Sequence, residues 1–307
     1  MDFKKVFIST SSFAQYDSQP IELLKEANFI VKLNPYGRTL VEPEIQDAVK
    51  DCNLLIAGTE PLSRSVLESA KKLKIISRCG AGLDNVDLIA AQEIGIKVFN
   101  TPFGPTQAVA ELTTGVILDL LRKITFMDRE LRAGKWQKKM GNLLQNKRVG
   151  FIGFGNIGQT VAELLLPFNV EISYYDIRTL PSCEKYRRLE LEPLLSCSDI
   201  ITIHISVSPN TKTIIGAKEL KLMKQGSWLV NMSRGGLIDE NALYKALESE
   251  HLSGAALDVF EREPYIGELT KLNNVVLTPH VGSYAKEARI QMEIDAVKNL
   301  LKTIKRA

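Results

Sequence analysis

Histidine is scarce in this chain. There are three in 307 residues, His204, His251 and His280, so the search for an imidazole acid or base is short. Cysteine is scarce too. Cys52, Cys79, Cys183 and Cys197 show no paired metal spacing, which predicts no metal site and suits reduced thiols in a cytoplasmic protein. No apolar run approaches the ~20 residues of a membrane span. The start, Met1-Asp2-Phe3-Lys4-Lys5, lacks the apolar core of a secretion signal, so no membrane association is expected. The net charge of +3 is small and its Lys and Arg are dispersed. Nucleic acid is therefore not an expected partner, while a small anion is easily accommodated. With 45% hydrophobic and 24% charged residues the composition is that of a soluble globular protein, long enough for two cores.

What is present is a glycine loop, Gly153-Phe154-Gly155-Asn156-Ile157-Gly158. The apolar run Arg148–Ile152 before it reads as a buried strand, and Ala162, Leu164 and Leu165 after it fall on one side of a helix. A second strand-like run, Val170–Tyr175, ends at Asp176. Strand, glycine turn, helix and distant acid together form a dinucleotide fingerprint. The first glycine permits the tight turn, the second lets backbone approach the pyrophosphate, and the third lets helix and strand pack. The helix N-terminus favours the phosphates. Asp176 accepts from ribose hydroxyls and repels a 2′-phosphate, which predicts NAD rather than NADP. Arg178 nearby is either a solvated loop charge or a group that accommodates that phosphate.

Strand-like and helical segments alternate from the start. Lys5–Ser9, Phe29–Leu33, Asn53–Ala57 and Lys74–Ser77 read as strands, and Ile21–Ala27, Pro43–Lys50 and Ser63–Ala70 as helices. The alternation predicts a small parallel α/β domain with a flavodoxin-like pattern. Thr101-Pro102-Phe103-Gly104-Pro105 reads as a linker, followed by one long helix from Gln107 to Ala133 ended by Gly134. A second α/β domain continues through strands at Ile200–His204, Ser227–Asn231, Ala255–Asp258 and Asn274–Leu277. A closing helix runs from Tyr284 to Lys305.

Of the histidines, His251 lies in the polar run Leu247–His251 and reads as a solvated surface residue. His204, late in a strand, reads as a hydrogen-bonded structural residue or a contact near the cofactor. His280 follows Thr278-Pro279 at the carboxyl end of a strand, where doubly wound sheets bind ligands, and is the leading acid/base candidate. Two further segments end at that edge. Asn231-Met232-Ser233-Arg234-Gly235-Gly236 carries an arginine, and Asp258-Val259-Phe260-Glu261-Arg262-Glu263-Pro264 carries carboxylates. Singly, Arg234 reads equally as a turn charge and Glu263 as a loop acid. Together Arg, Glu and His after consecutive strands have one chemical logic.

These segments, with Arg78-Cys79-Gly80-Ala81-Gly82-Leu83-Asp84-Asn85-Val86-Asp87 and Ala108-Val109-Ala110-Glu111, resemble the D-isomer-specific 2-hydroxyacid dehydrogenase family over nearly the whole chain. The resemblance implies an NAD-dependent oxidoreductase that interconverts a D-2-hydroxy acid and its 2-keto acid. It implies that Arg234 clamps the substrate carboxylate and C2 oxygen, that His280 exchanges a proton with that oxygen, and that Glu263 orients the imidazole. The substrate carboxylate is expected on backbone N–H groups of Ala81 and Gly82, with Arg78 close by. The implied cofactor contacts are Gly153, Gly155, Asn156, Ile157, Gly158, Asp176, Ile205, Met232, Ser233, Asp258 and Gly282, Asp258 serving the nicotinamide carboxamide. The implied fold is α/β, with two doubly wound parallel-sheet domains. A Rossmann NAD domain, 101–283, is inserted into a flavodoxin-like substrate domain, 1–100 plus 284–307, and the cleft closes over the reactants. The long helix after Ala108 implies a homodimer.

Within the family the pattern is most like 3-phosphoglycerate dehydrogenases, which predicts conversion of 3-phosphoglycerate to 3-phosphohydroxypyruvate in serine biosynthesis. Arg78–Asp87, Thr101-Pro102 and Gly134-Lys135-Trp136 beside Lys138 and Lys139 carry that expectation. Enzymes of the human type place an arginine for the phosphate in the loop after the third strand; here that loop reads Ala57-Gly58-Thr59-Glu60-Pro61. No regulatory domain follows the closing helix, so serine feedback through one is not expected. Glyoxylate or hydroxypyruvate reductase and D-lactate dehydrogenase are the enzymatic alternatives. An NAD(H)-sensing protein of the corepressor kind is the alternative from another class.

Overall fold

A computed structural model describes residues 5–178, 180, 183–207 and 211–304. Residues Met1–Lys4 of the predicted signal-free start and Lys305 of the closing helix lie outside the described residues. The chain forms two compact units, residues 1–105 with 283–307 (unit 1) and residues 106–282 (unit 2).

Unit 1 begins with β1 (Lys5–Ile8), α1 (Gln19–Glu26), β2 (Ile30–Leu33), α2 (Glu42–Ala48), β3 (Leu54–Ala57), α3 (Arg64–Ser69), β4 (Ile75–Arg78), α4 (Leu88–Ile94) and β5 (Lys97–Phe99). Its strands pair in parallel in the order β2-β1-β3-β4-β5, the flavodoxin order. β3 is buried throughout because both faces of a parallel sheet are covered. Leu55 and Ala57 join one apolar cluster with Ile45, Val66 and Ala90 of the helices. Leu54 and Ile56 join another on the opposite face. Ser63 and Asp87 start α3 and α4 by accepting the N–H of Val66 and Ala90. The predicted strands and helices are present with ends shifted by a residue or two. Helix α4 and strand β5 were not anticipated.

Unit 2 contains α5 (Thr106–Arg122), α6 (Ile124–Arg132), β6 (Arg148–Ile152), α7 (Asn156–Leu165), β7 (Glu171–Tyr175), β8 (Arg187–Arg188), α8 (Leu191–Cys197), β9 (Ile200–Ile203), α9 (Ala217–Leu222), β10 (Ser227–Asn231), α10 (Glu240–Glu248), β11 (Leu252–Leu257) and β12 (Val275–Leu277). Among the described residues the sheet is all parallel, in the order β12-β11-β10-β9-β6-β7-β8. That is the Rossmann order with one further strand, and its switch point lies between β6 and β9. Apolar clusters cover both faces. The single long helix expected over Gln107–Ala133 is two helices. Lys123 adopts a left-handed φ of 56°, and the Asp119 carboxylate accepts the Thr125 N–H at 2.8 Å to start α6.

The chain then returns to unit 1 as α11 (Lys286–Ile304), where Met292, Ala296, Val297 and Leu300 fill the cluster beside Leu54 and Ile56. Thr101, expected in a linker, is buried within unit 1. Among the described residues no helix is long and apolar enough to cross a membrane.

Candidate active site

The glycine loop leaves β6 at the switch point. Gly153 has φ 86°, and a Cβ there would lie 2.5 Å from the His204 carbonyl oxygen, so only glycine fits between β6 and the end of β9. A Cβ on Gly158 would lie 2.7 Å from the Gly153 carbonyl oxygen, which is why α7 can begin so close to the loop. Gly155 is different. Among the described residues a Cβ there would meet only the Arg178 guanidinium, at 3.7 Å, which leaves room where a pyrophosphate would approach. The loop therefore fits a dinucleotide. Asn156 and Ile157 open α7. Asp176 follows β7 and accepts the Phe154 N–H at 2.9 Å, tying the acid to the loop. Ile205 follows β9 and packs against Gly153.

Three loops at the carboxyl ends of β10, β11 and β12 carry the predicted chemistry. Asn231 accepts the Ser233 N–H and donates to the Arg234 carbonyl, fixing the turn that bears Arg234. A Cβ on Gly235 would overlap the Phe260 carbonyl oxygen at 1.8 Å, so this turn sits directly on the loop after β11. The Arg234 guanidinium donates to the Ser233 carbonyl at 2.8 Å. Met232 is buried, and the Ser233 hydroxyl is turned onto the Ile203 carbonyl at 2.7 Å.

In the loop after β11, Glu263 accepts the Phe260 N–H with Oε1 at 3.1 Å and faces His280 Nδ1 with Oε2 at 2.8 Å. His280 is part-exposed and adopts a left-handed φ of 53°. Asp258 is buried and fixes that turn. Its Oδ1 accepts from the Thr278 hydroxyl at 2.6 Å and the Val281 N–H at 2.7 Å, and its Oδ2 accepts the Gly282 N–H at 2.7 Å. An imidazole held by a carboxylate through Nδ1 leaves Nε2 as the proton-exchanging nitrogen.

The other two histidines stand apart. His204 is buried with Nε2 2.8 Å from the Thr202 hydroxyl, and burial pushes its imidazole down to about 3. It is a neutral residue beneath the glycine loop. His251, expected in solvent, is half-buried and donates to the Leu220 carbonyl at 3.0 Å, because α9 packs beside its turn.

The predicted carboxylate-binding turn belongs to unit 1 and follows β4. The Gly80 N–H donates to the Thr101 hydroxyl at 2.7 Å, and the Asn100 amide donates to the Ala81 carbonyl at 2.6 Å. The Arg78 guanidinium folds over Gly80 and donates to the Cys79 carbonyl at 3.0 Å. Asn100 and Thr101 were missed in the sequence, since only the pairing of β4 with β5 brings them to the turn. The loop after β3 is built inward. Glu60 is buried, pairs with the Ser9 hydroxyl, and accepts the Gly58 N–H at 3.1 Å. Burial pushes its carboxyl above the usual range despite those bonds. Among the described residues no group of three or more His, Cys, Asp or Glu is arranged to hold a metal.

Comparison with known proteins bears on the family and the fold. The model of the D-isomer specific 2-hydroxyacid dehydrogenase NAD binding domain matches residues 114–282. The chain is 40% identical over 294 residues to a glyoxylate reductase of Thermococcus litoralis, covering 92% of this chain and 86% of that one. It is 40% identical over 259 residues to a D-3-phosphoglycerate dehydrogenase of Methanocaldococcus jannaschii, covering 81% of this chain but 49% of that longer one. A crystal structure of a Thermus thermophilus protein superposes with a TM-score of 0.91 at 34% identity, covering 98% of this chain and 97% of that one. The chain belongs to the D-isomer-specific 2-hydroxyacid dehydrogenase family. It is an oxidoreductase whose unit 2 is an NAD-binding domain.

Proposed function

We propose that the chain reduces a short unphosphorylated 2-keto acid, of the hydroxypyruvate or glyoxylate kind, to its D-2-hydroxy acid. Bound NADH supplies the hydride to C2. Arg234 binds the substrate carboxylate and C2 oxygen, a bidentate task that suits a guanidinium. His280 gives a proton from Nε2 to that oxygen, and Glu263 holds the ring through Nδ1 so that Nε2 is presented. Gly153, Gly155, Asn156, Ile157, Gly158, Asp176, Ile205, Met232, Ser233, Asp258 and Gly282 are assigned to the cofactor. Arg78 and the N–H groups of Ala81 and Gly82 are assigned to the substrate carboxylate.

The observation that carries the choice of acid is the loop after β3. Its Gly58 N–H, the group that would meet an anion, is already bonded to the Glu60 carboxyl, and the loop holds no cation. That disfavours a phosphate, whose binding needs donors and positive charge. The expected 3-phosphoglycerate remains the second reading, supported by Arg78 over Gly80 and by the Methanocaldococcus relative. The alternatives are separated by steady-state kinetics with NADH on hydroxypyruvate, glyoxylate, pyruvate and 3-phosphohydroxypyruvate. We expect kcat/KM for hydroxypyruvate to exceed that for its phosphate by about tenfold or more, the size of one unmet charged contact. The reverse order would establish the phosphorylated acid.

We further propose a homodimer. Helix α6 buries no residue, and Ile124, Leu131, Trp136, Met140 and Leu143 are exposed on and just beyond it, a surface that suits a second copy. Sedimentation of the protein tests this. The thiols, read as reduced, suit a cytoplasmic setting.

A further inference from the structure

The turn after β4 is satisfied on one side only. The Gly80 carbonyl accepts the Thr101 N–H at 3.0 Å, and the Ala81 carbonyl accepts the Asn100 side-chain amide at 2.6 Å. The Gly80 N–H goes to the Thr101 hydroxyl at 2.7 Å. Among the described residues nothing accepts the N–H of Ala81 or of Gly82, and both residues are part-exposed. Two adjacent donors are left over from a turn whose other groups are paired, and a backbone donor without a protein partner calls for an acceptor from outside.

The direction of those donors follows from the peptide plane. In a planar trans peptide the C=O and N–H point opposite ways. The Gly80 carbonyl shares a peptide with the Ala81 N–H, and the Ala81 carbonyl shares one with the Gly82 N–H. Both carbonyls are drawn onto the Asn100-Thr101 segment, so both N–H groups turn away from it, where they can share one anion. The first carbonyl is held by backbone. Among the described residues the second is held by the Asn100 side chain alone. Asn100 is anchored from behind in turn. Its carbonyl accepts the Asn299 side-chain amide of α11 at 3.0 Å, and the same amide reaches the Ser77 hydroxyl of β4 at 3.3 Å. β5 is a brief edge strand that ends at Phe99, so Asn299 clips the residue just past it to β4.

We propose that Asn100 is a positioning residue for the substrate carboxylate, and that Asn299 acts through it. Asn100 sets the peptide that aims the Gly82 N–H, and so keeps the two donors convergent. The inference rests on the reading that the Ala81 and Gly82 N–H groups take that carboxylate, and it holds for any 2-keto acid. The carboxylate is not the reacting group and is held alike before and during hydride transfer. Loosening the turn therefore raises KM and leaves kcat nearly unchanged.

The test uses wild type, Asn100→Ala, Asn299→Ala and the double variant, each saturated with NADH. Kinetics on the best 2-keto acid is joined to amide NMR of Ala81 and Gly82 during titration with oxamate, a carboxylate-bearing keto-acid mimic. In the wild type both amides should shift with one dissociation constant. Asn100→Ala should raise that constant and KM by about tenfold, the loss of a bond to a charged group, with kcat within about threefold and NADH affinity within about twofold. Asn299→Ala should raise KM less, and in the double variant it should add nothing to Asn100→Ala, as expected of residues acting in series. KM and oxamate affinity within about twofold of wild type in Asn100→Ala overturn the proposal, as does a full additive effect of Asn299→Ala. If Asn100→Ala does not fold, Asn299→Ala carries the same measurement, and an unchanged KM there overturns it. Wild-type amides that shift while the variants bind oxamate equally well refute the positioning role alone. Wild-type amides that do not shift refute the carboxylate reading, and the proposal falls with it.

Discussion

His280 Nδ1 lies 2.8 Å from Glu263 Oε2, and the other oxygen of that carboxylate is anchored by the Phe260 N–H at 3.1 Å. The histidine is thereby oriented by a loop from the neighbouring strand and not by its own. Glu263→Gln keeps the shape and removes the charge. It should lower kcat by about tenfold to a hundredfold with a smaller change in KM. His280→Ala should cost about 10²–10⁴-fold, the usual range for a general acid. Steady-state kinetics on both variants checks the order. An unchanged kcat in the glutamine variant would show that the pairing is structural.

Asp258 has three bonds to the turn that carries His280, from the Thr278 hydroxyl, Val281 N–H and Gly282 N–H. Those bonds hold a non-glycine residue at φ 53°, a conformation that needs outside support. Asp258→Asn replaces one acceptor oxygen with a donor, leaving a buried donor facing a donor. Urea denaturation should show a loss of about 1–3 kcal/mol. Turnover should fall as well, because the His280 turn loses its clamp. Equal stability of variant and wild type would contradict this role.

Gly235 is the tightest backbone approach in the site, 1.8 Å between its absent Cβ and the Phe260 carbonyl oxygen. Both sides of the contact are backbone, so Gly235→Ala must separate the Arg234 turn from the Glu263 loop. Overpacking of this kind costs about 1–3 kcal/mol. The expected outcome is a folded protein with lower thermal stability and kcat/KM reduced at least tenfold, about the effect of misplacing a binding group. Retained kcat/KM would mean that the two loops move together.

Much of this was legible because parallel strands buried on both faces read as short apolar runs, as Leu54–Ala57 and Ile200–Ile203 do. The edge strand β5 escaped notice because Lys97–Phe99 is brief and nowhere fully buried, so it carries no such run. The break at Lys123 was invisible for a different reason. Nothing there is glycine or proline, and the left-handed residue is imposed by Asp119 capping the next helix. Arg234, Glu263 and His280 stood out by type and position at strand ends. The bonds that hold them could not be read, since Asp258, Thr278 and Val281 meet only when β11 and β12 pair. Asp176 looked like a bare acid because its partners, Phe154 and Arg178, are defined by the folded turn.

His204 should contribute to how the fold responds to acid. Its ring is buried, Nε2 meets only the Thr202 hydroxyl, and Nδ1 has no partner among the described residues. Burial holds it neutral down to about 3, against the ordinary 6.5 of an unfolded chain. A base with a depressed folded pKa contributes stability above the unfolded value and loses it as pH falls toward the folded one. The loss should be about 1.4 kcal/mol per pH unit below about 6.5. Urea denaturation of the wild type and of His204→Asn, between about pH 7 and pH 5, isolates this contribution. The difference in unfolding free energy between the two proteins should shift in favour of the asparagine variant by roughly 2 kcal/mol across that window. A pH-independent difference would mean that the imidazole titrates in the folded protein as it does in the unfolded chain.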